Sequence, residues 1–215
     1  MNGKPTVFVV DDDPAVRESL TLLLEQKNIT VESFASADSF LTDFRPVHLC
    51  CAIIDIRMPG MDGLQLQAEL SSRGALLPII FLTGHGDIPQ SVSAIKAGAV
   101  DFLTKPVSSD ALLQSVQEAL SERERMIAQS VKRIEAAARV SSLTEREREV
   151  MFLAVEGMAN KEIANRLGIS HRTVEIHRAR IMQKVGVETV VELVHLAEAA
   201  GYYPEATQNA EPGPA

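Results

Sequence analysis

The chain has 215 residues, 46% hydrophobic and 23% charged, which is the composition of a soluble globular protein with room for two compact cores, the second small. No apolar run approaches the roughly 20 residues of a membrane span, and Met1–Pro5 leads into only five apolar-rich residues, so neither membrane nor signal peptide is expected and the cytoplasm is. The net charge of −8 is uneven: residues 1–120 hold 15 acids against 8 bases, whereas residues 161–184 hold 6 bases against 2 acids.

The first 120 residues alternate between short apolar runs and amphipathic stretches. Strands are predicted at 6–10, 30–34, 49–54, 78–82 and 100–103, and helices at about 14–27, 37–44, 62–73, 88–97 and 108–120. Five β–α units at this spacing predict a doubly wound α/β domain, a parallel sheet covered on both faces. The strands lack polar alternation, as burial on both faces requires. Cys50 and Cys51 are adjacent and so point to opposite faces, which leaves two buried thiols rather than a disulfide framework or a zinc cluster.

Residues 121–139 contain no Gly or Pro and read as a helical linker. Leu113, Leu120, Ile127, Val131, Ile134 and Ala138 keep a three-or-four spacing broken at Arg123 and Glu124, too short for a sustained coiled coil. Thr144-Glu145-Arg146-Glu147 is a capping box that opens a small all-α domain over 140–203. Its helices are predicted at about 145–156, 160–167, 171–185 and 188–200. Gly168 and Ser170 supply a left-handed stop and a new cap, so residues 160–179 form a helix-turn-helix. A disordered tail is expected over 204–215.

In a doubly wound sheet, ligands bind beyond the carboxyl ends of the strands. Here four of the five strands deliver polar groups to that edge: Asp11, Asp12 and Asp13, then Asp55, then Thr83, then Lys105. Crowded carboxylates hold either protons or a cation. Hard oxygen ligands without a histidine or thiol set fit Mg²⁺. One carboxylate can then accept a phosphoryl group. Asp55 is the best placed, ending the central strand before the Arg57-Met58-Pro59-Gly60 turn.

Val10-Asp11-Asp12, Asp55-Ile56-Arg57-Met58-Pro59, Thr83 and Lys105-Pro106 resemble the receiver domain of two-component response regulators over residues 5–120, and Thr83-Gly84-His85-Gly86-Asp87 resembles the FixJ subfamily. The resemblance implies a flavodoxin-like sheet in the order 2-1-3-4-5 and a sensor histidine kinase that phosphorylates Asp55. It implies Mg²⁺ held by Asp12, Asp55 and the carbonyl of Arg57, with Asp11 acting through water. Thr83 would bond the phosphoryl oxygen, Lys105 would pair with it through a cis Lys105–Pro106 peptide, and Phe102 would be the rotameric switch. Val107 departs from the aromatic residue common there, and His85 would overhang the phosphoryl site.

With Val174 facing inward, Ile181 and Val185 fall within about 20° of it at 100° per residue. Arg172, Glu175, Ile176 and Arg180 then fall on the opposite face. An apolar side chain can meet a thymine methyl and a carboxylate a cytosine amine, so Glu175 and Ile176 suit base edges in a major groove. Lys161, Arg178 and Lys184 suit phosphates. A plain helical bundle with a solvated basic face is the alternative. Leu143–Glu147, Asn160–Ala164, Ile169-Ser170 and Thr173–His177 resemble the LuxR-type helix-turn-helix, which implies double-stranded promoter DNA at helix 171–185, with Arg172, Thr173 and Arg180 in the contact set. His177 is read as packed.

These readings predict a phosphorylation-dependent transcription regulator rather than an enzyme. The resemblance implies that it dimerises when phosphorylated, through the face built by 88–97 and 100–103, and acts with RNA polymerase; masking of the DNA-binding domain is the alternative switch. A Mg²⁺-dependent phosphohydrolase would more often place its nucleophile in an Asp-x-Asp after the first strand, and an adaptor would not need these acids.

Overall fold

The computed structural model describes residues 4–84 and 94–202. The expected helix at 88–97 lies mostly, and His85 and the tail 204–215 wholly, outside the described residues. The chain forms two compact units, residues 1–127 and 128–215.

In the first unit, β1 (Thr6–Val10), β2 (Thr30–Phe34), β3 (Cys50–Asp55), β4 (Ile79–Thr83) and β5 (Asp101–Thr104) form one parallel sheet in the order β2-β1-β3-β4-β5. Every residue of β1, β3 and β4 is buried, while the edge strands β2 and β5 are only partly covered. That is why the interior strands read as unbroken apolar runs. Strands β3 to β5 each lie one residue later than hydropathy alone predicts. Polar residues still pair in the ladder, Asp55 opposite Leu82 and Thr83 opposite Thr104, so apolarity stops before the hydrogen bonds do. Cys50 and Cys51 are free and buried, one in each of the two cores that sandwich the sheet.

Around the sheet lie α1 (Pro14–Glu25), α2 (Ala37–Asp43) and α3 (Gly63–Ser72). The stretches predicted at 108–120 and 121–139 form a single helix, α4 (Ser109–Ser141). Its early residues Leu112, Val116 and Ala119 enter the sheet core, and Val140 enters the core of the second unit. Arg123, which interrupts the apolar spacing, is buried and donates to the carbonyls of Val47, His48 and Leu76. Val131 and Ile134 are exposed.

The second unit packs α5 (Glu145–Val155), α6 (Asn160–Leu167), α7 (His171–Val185) and α8 (Val190–Ala199) around Val150, Met151, Ile163 and Leu193. The predicted inward stripe of α7, Val174, Ile181 and Val185, is buried. No helix among the described residues is long and apolar enough to cross a membrane.

A candidate acidic site and a candidate nucleic-acid interface

Because β1 and β3 run parallel and adjacent, their carboxyl ends bring Asp11 and Asp55 to one edge. Carboxylate oxygens of Asp11, Asp12 and Asp55 all lie within 4.8 Å of one another. Lys105, arriving just after β5, donates from Nζ to Asp11 Oδ2 at 2.6 Å and to Asp55 Oδ2 at 2.7 Å. Its own backbone N–H bonds the carbonyl of Thr83 at 2.7 Å, which ties the β5 exit to the end of β4. The Lys105–Pro106 peptide is cis.

Burial sets the electrostatics. Asp11 is 1% exposed, and desolvation raises its carboxyl above the ordinary value; hydrogen bonds from Lys105 and the Asp13 N–H pull it back only in part. Desolvation acts to lower the Lys105 ammonium, but its bonds to Asp11 and Asp55 outweigh that and leave it raised. The ammonium therefore stays charged between the two acids. Asp12 is exposed and opens onto a cleft of about 540 Å³ shared with Arg57, Met58 and Asp62. Arg57 donates its backbone N–H to Asp55 Oδ1 at 3.2 Å. Thr83 is buried at the end of β4, and Phe102 of β5 packs half-buried on the core. An oxygen-only donor set of this kind, with one open side, fits Mg²⁺.

Two further residues shape this site, and neither belongs to the set predicted from the sequence: Gly63 and Arg17. Asp62 caps α3 in a box with Gln65, which puts Gly63 at the first helical position. A Cβ there would stand 2.4 Å from the carbonyl oxygen of Asp55 and 3.0 Å from Ile56 Cα, so only glycine lets the helix approach the acceptor strand. A glycine with a cap already supplied is a legible clue to such an approach. Arg17 of α1 donates from one Nη to the carbonyls of Asp11 at 2.7 Å and Asp12 at 3.0 Å. Its clue is a basic residue near a helix N-terminus, where the dipole disfavours it unless something holds it.

In the second unit, Gly168 ends α6 in the left-handed region at φ 64°, and Ser170 caps α7 through the Thr173 N–H at 3.1 Å. Along α7, Arg172, Ile176 and Arg180 are exposed, and Thr173, Glu175 and Arg178 are half-buried. Lys161 is exposed on α6. Glu175 pairs with Arg172 at 3.1 Å. Arg178 donates to Asn160 Oδ1 at 2.7 Å, and Lys184 donates to Glu147 Oε2 at 2.7 Å. Two of the basic side chains expected to face phosphate thus have protein partners. A third brace, Arg146, donates to the carbonyl of Leu167 at 2.6 Å. His177 is half-buried as read, and its Nδ1 is buried without a hydrogen-bond partner.

Residues 7–117 match the response regulator receiver domain family, and residues 141–197 match the bacterial regulatory proteins of the luxR family. The chain is 45% identical to the transcriptional regulatory protein FixJ of Azorhizobium caulinodans, over 92% of this chain and 94% of that one. It is 42% identical to the response regulator protein TmoT of Ectopseudomonas mendocina, covering 92% and 90% respectively. Among solved structures it is similar to the response regulator StyR, with a TM-score of 0.70 and 46% identity over 91% of this chain and 99% of that one. Full-length FixJ from B. japonicum matches with a TM-score of 0.57 and 40% identity over 93% of this chain and 98% of that one.

A receiver followed by a LuxR-type DNA-binding domain defines a two-component response regulator. The chain belongs to the FixJ-like members of that family, phosphorylation-dependent regulators of transcription, whose receiver implies a histidine kinase and whose second domain implies DNA.

Proposed function

We propose that Asp55 is the sole phosphoryl acceptor of this chain. The observation that carries the reading is the convergence of Asp11, Asp12 and Asp55 on one edge with a single ammonium, Lys105, between Asp11 and Asp55. Asp55 alone among the three ends the central strand. An oxygen of its carboxylate attacks the phosphorus of a kinase phosphohistidine. An O–P bond forms, the P–N bond breaks, and the imidazole leaves with the electron pair and takes a proton from solvent. Lys105 exchanges Asp55 Oδ2 for a phosphoryl oxygen while keeping Asp11, and the Thr83 hydroxyl donates to another. Mg²⁺ would be held by Asp12, Asp55 and the Arg57 carbonyl, with Asp11 acting through water, and when bound it offsets the charge that the phosphoryl group adds. The chain accepts one phosphoryl group and at most loses it slowly by itself, so it is a regulator and not an enzyme.

Receiver function is assigned to 1–120, the linker to 121–139 and DNA binding to 140–203, in the cytoplasm. Thr83 and Phe102 bias a two-state element, and the phosphorylated receivers pair. Pairing puts two recognition helices near one duplex, where the second contact forms at high effective concentration. Glu175 and Ile176 read bases. Lys161, Arg172, Thr173 and Arg180 hold the backbone, and Arg178 and Lys184 contribute less because Asn160 and Glu147 already engage them. RNA polymerase is the partner at the promoter.

Asp55→Asn preserves the shape and removes the nucleophile. Intact-mass measurement with a small phosphodonor and Mg²⁺ should show one added phosphoryl group on the natural chain and none on the variant. Full phosphorylation of the variant refutes the assignment, and undiminished transfer in excess chelator refutes the Mg²⁺ requirement. Sedimentation with and without phosphodonor tests the pairing.

A further inference from the structure

Three successive carbonyls of the acidic run meet one residue. The backbone N–H of Arg17 donates to Asp13 O at 3.1 Å, as the first turn of α1 requires. The Arg17 guanidinium donates to Asp11 O at 2.7 Å and to Asp12 O at 3.0 Å. The segment between Val10, the last residue of β1, and Pro14, the first of α1, is irregular, so no ladder or helix satisfies these two carbonyls. One of its peptide units is held at both ends. The Asp12–Asp13 peptide gives its carbonyl to Arg17, and its N–H, that of Asp13, to Asp11 Oδ1 at 2.9 Å.

From this geometry we infer that Arg17 is a positioning residue for the cation site: it fixes the main chain of Asp11 and Asp12 so that their carboxylates face Asp55. The inference rests on the proposed Mg²⁺ site. Orientation and charge act in opposite directions here, which makes the inference testable. Arg17 brings a positive charge near a cation site, so if charge were its only effect, removing it would tighten Mg²⁺ binding. If it orients the ligands, removing it weakens binding, by the tenfold or more typical of partners that hold metal ligands in place. Anchoring also explains why a basic side chain sits near the N-terminus of α1, where the first turn holds no acid and the helix dipole opposes it.

The test is a Mg²⁺ titration of the full chain followed by the amide signals of Asp12, Asp13 and Arg57, for the natural chain, Arg17→Met and Arg17→Lys. Methionine keeps the stem and helix propensity, and removes every donor. Lysine keeps the charge but is shorter and lacks the planar fork. The expected Kd rises about tenfold in Arg17→Met and by an intermediate factor in Arg17→Lys. An affinity equal to or tighter than that of the natural chain in Arg17→Met overturns the inference. Should that variant fail to fold, an unchanged affinity in Arg17→Lys overturns it equally. Absence of saturable Mg²⁺ binding by the natural chain itself refutes instead the Mg²⁺ site on which the inference rests.

Discussion

At the carboxyl edge of the sheet, three carboxylates stand together and one ammonium, Lys105, bridges two of them; Asp12 stays exposed. On α6 and α7, basic side chains outnumber acids, yet Arg178 and Lys184 are occupied by Asn160 and Glu147, while Lys161 and Arg180 are exposed. The acidic site is under-neutralised and open, so its excess negative charge is available to a cation. The basic face is partly self-neutralised, and part of its charge holds the helices together. A count of charges overstates what the second face offers to DNA and describes the first face well.

If that contrast is right, breaking a brace costs folding stability. Glu147 is the strongest case. It is 4% exposed, and its Oε2 accepts from the Thr144 N–H at 2.9 Å, the Thr144 hydroxyl at 3.0 Å and Lys184 at 2.7 Å. The bond from Lys184 first, and then the backbone N–H of Thr144, hold its carboxyl down to about 2, against an ordinary value of 4.5. Glu147→Ala loses a helix cap and a charge-assisted bond, about 3 kcal/mol. The pH dependence follows from the same bonds. A carboxyl whose folded pKa is depressed adds stability that is complete above about 4.5 and is lost as pH falls toward about 2. Thermal unfolding of the natural chain should therefore decline more steeply than that of Glu147→Gln across this window. Parallel declines would mean that the brace contributes nothing.

Gly63 tests whether the acidic edge is set by its charges alone or also by backbone approach. A Cβ there meets main-chain atoms, which cannot rotate away. Gly63→Ala should cost about 2 kcal/mol, an overpacking penalty partly offset by alanine's better helix propensity. Phosphorylation from a small donor should slow as well, because the displaced atoms belong to Asp55 and Ile56. A variant with unchanged melting and unchanged rate would mean that α3 yields freely.

What the sequence disclosed divides along the same physical line. Asp11, Asp55, Thr83 and Lys105 were legible because parallel β–α units send every strand's carboxyl end to one edge. Val174, Ile181 and Val185 were legible because helical periodicity repeats over the whole of α7. Arg17, Arg123 and Arg146 were not, because each bonds main-chain carbonyls, and a carbonyl has no residue identity to read. Nor was the Lys184–Glu147 pair, whose members are 37 residues apart and meet only through packing of α5 and α7. Position on the helix alone therefore points Lys184 at phosphate.

That assignment gives the smallest and sharpest test. Each phosphate contact releases counterions, so removing one full contact reduces the log–log salt slope of DNA binding by about one. Lys161 is exposed and appears in no ion pair among the described residues. Its side chain has only water to give up on reaching a phosphate. Lys184 must first release Glu147, a buried carboxylate that would be left without its cation. Lys161→Ala on the phosphorylated chain should therefore lower the slope by about one, and Lys184→Ala by clearly less, on a duplex of arbitrary sequence. The measurement belongs well below the melting temperature of both variants, since loss of the brace also lowers stability. Equal reductions would mean that Lys184 exchanges Glu147 for phosphate at little cost, and the contrast between an open acidic site and a braced basic face would fail at the residue where it is most explicit.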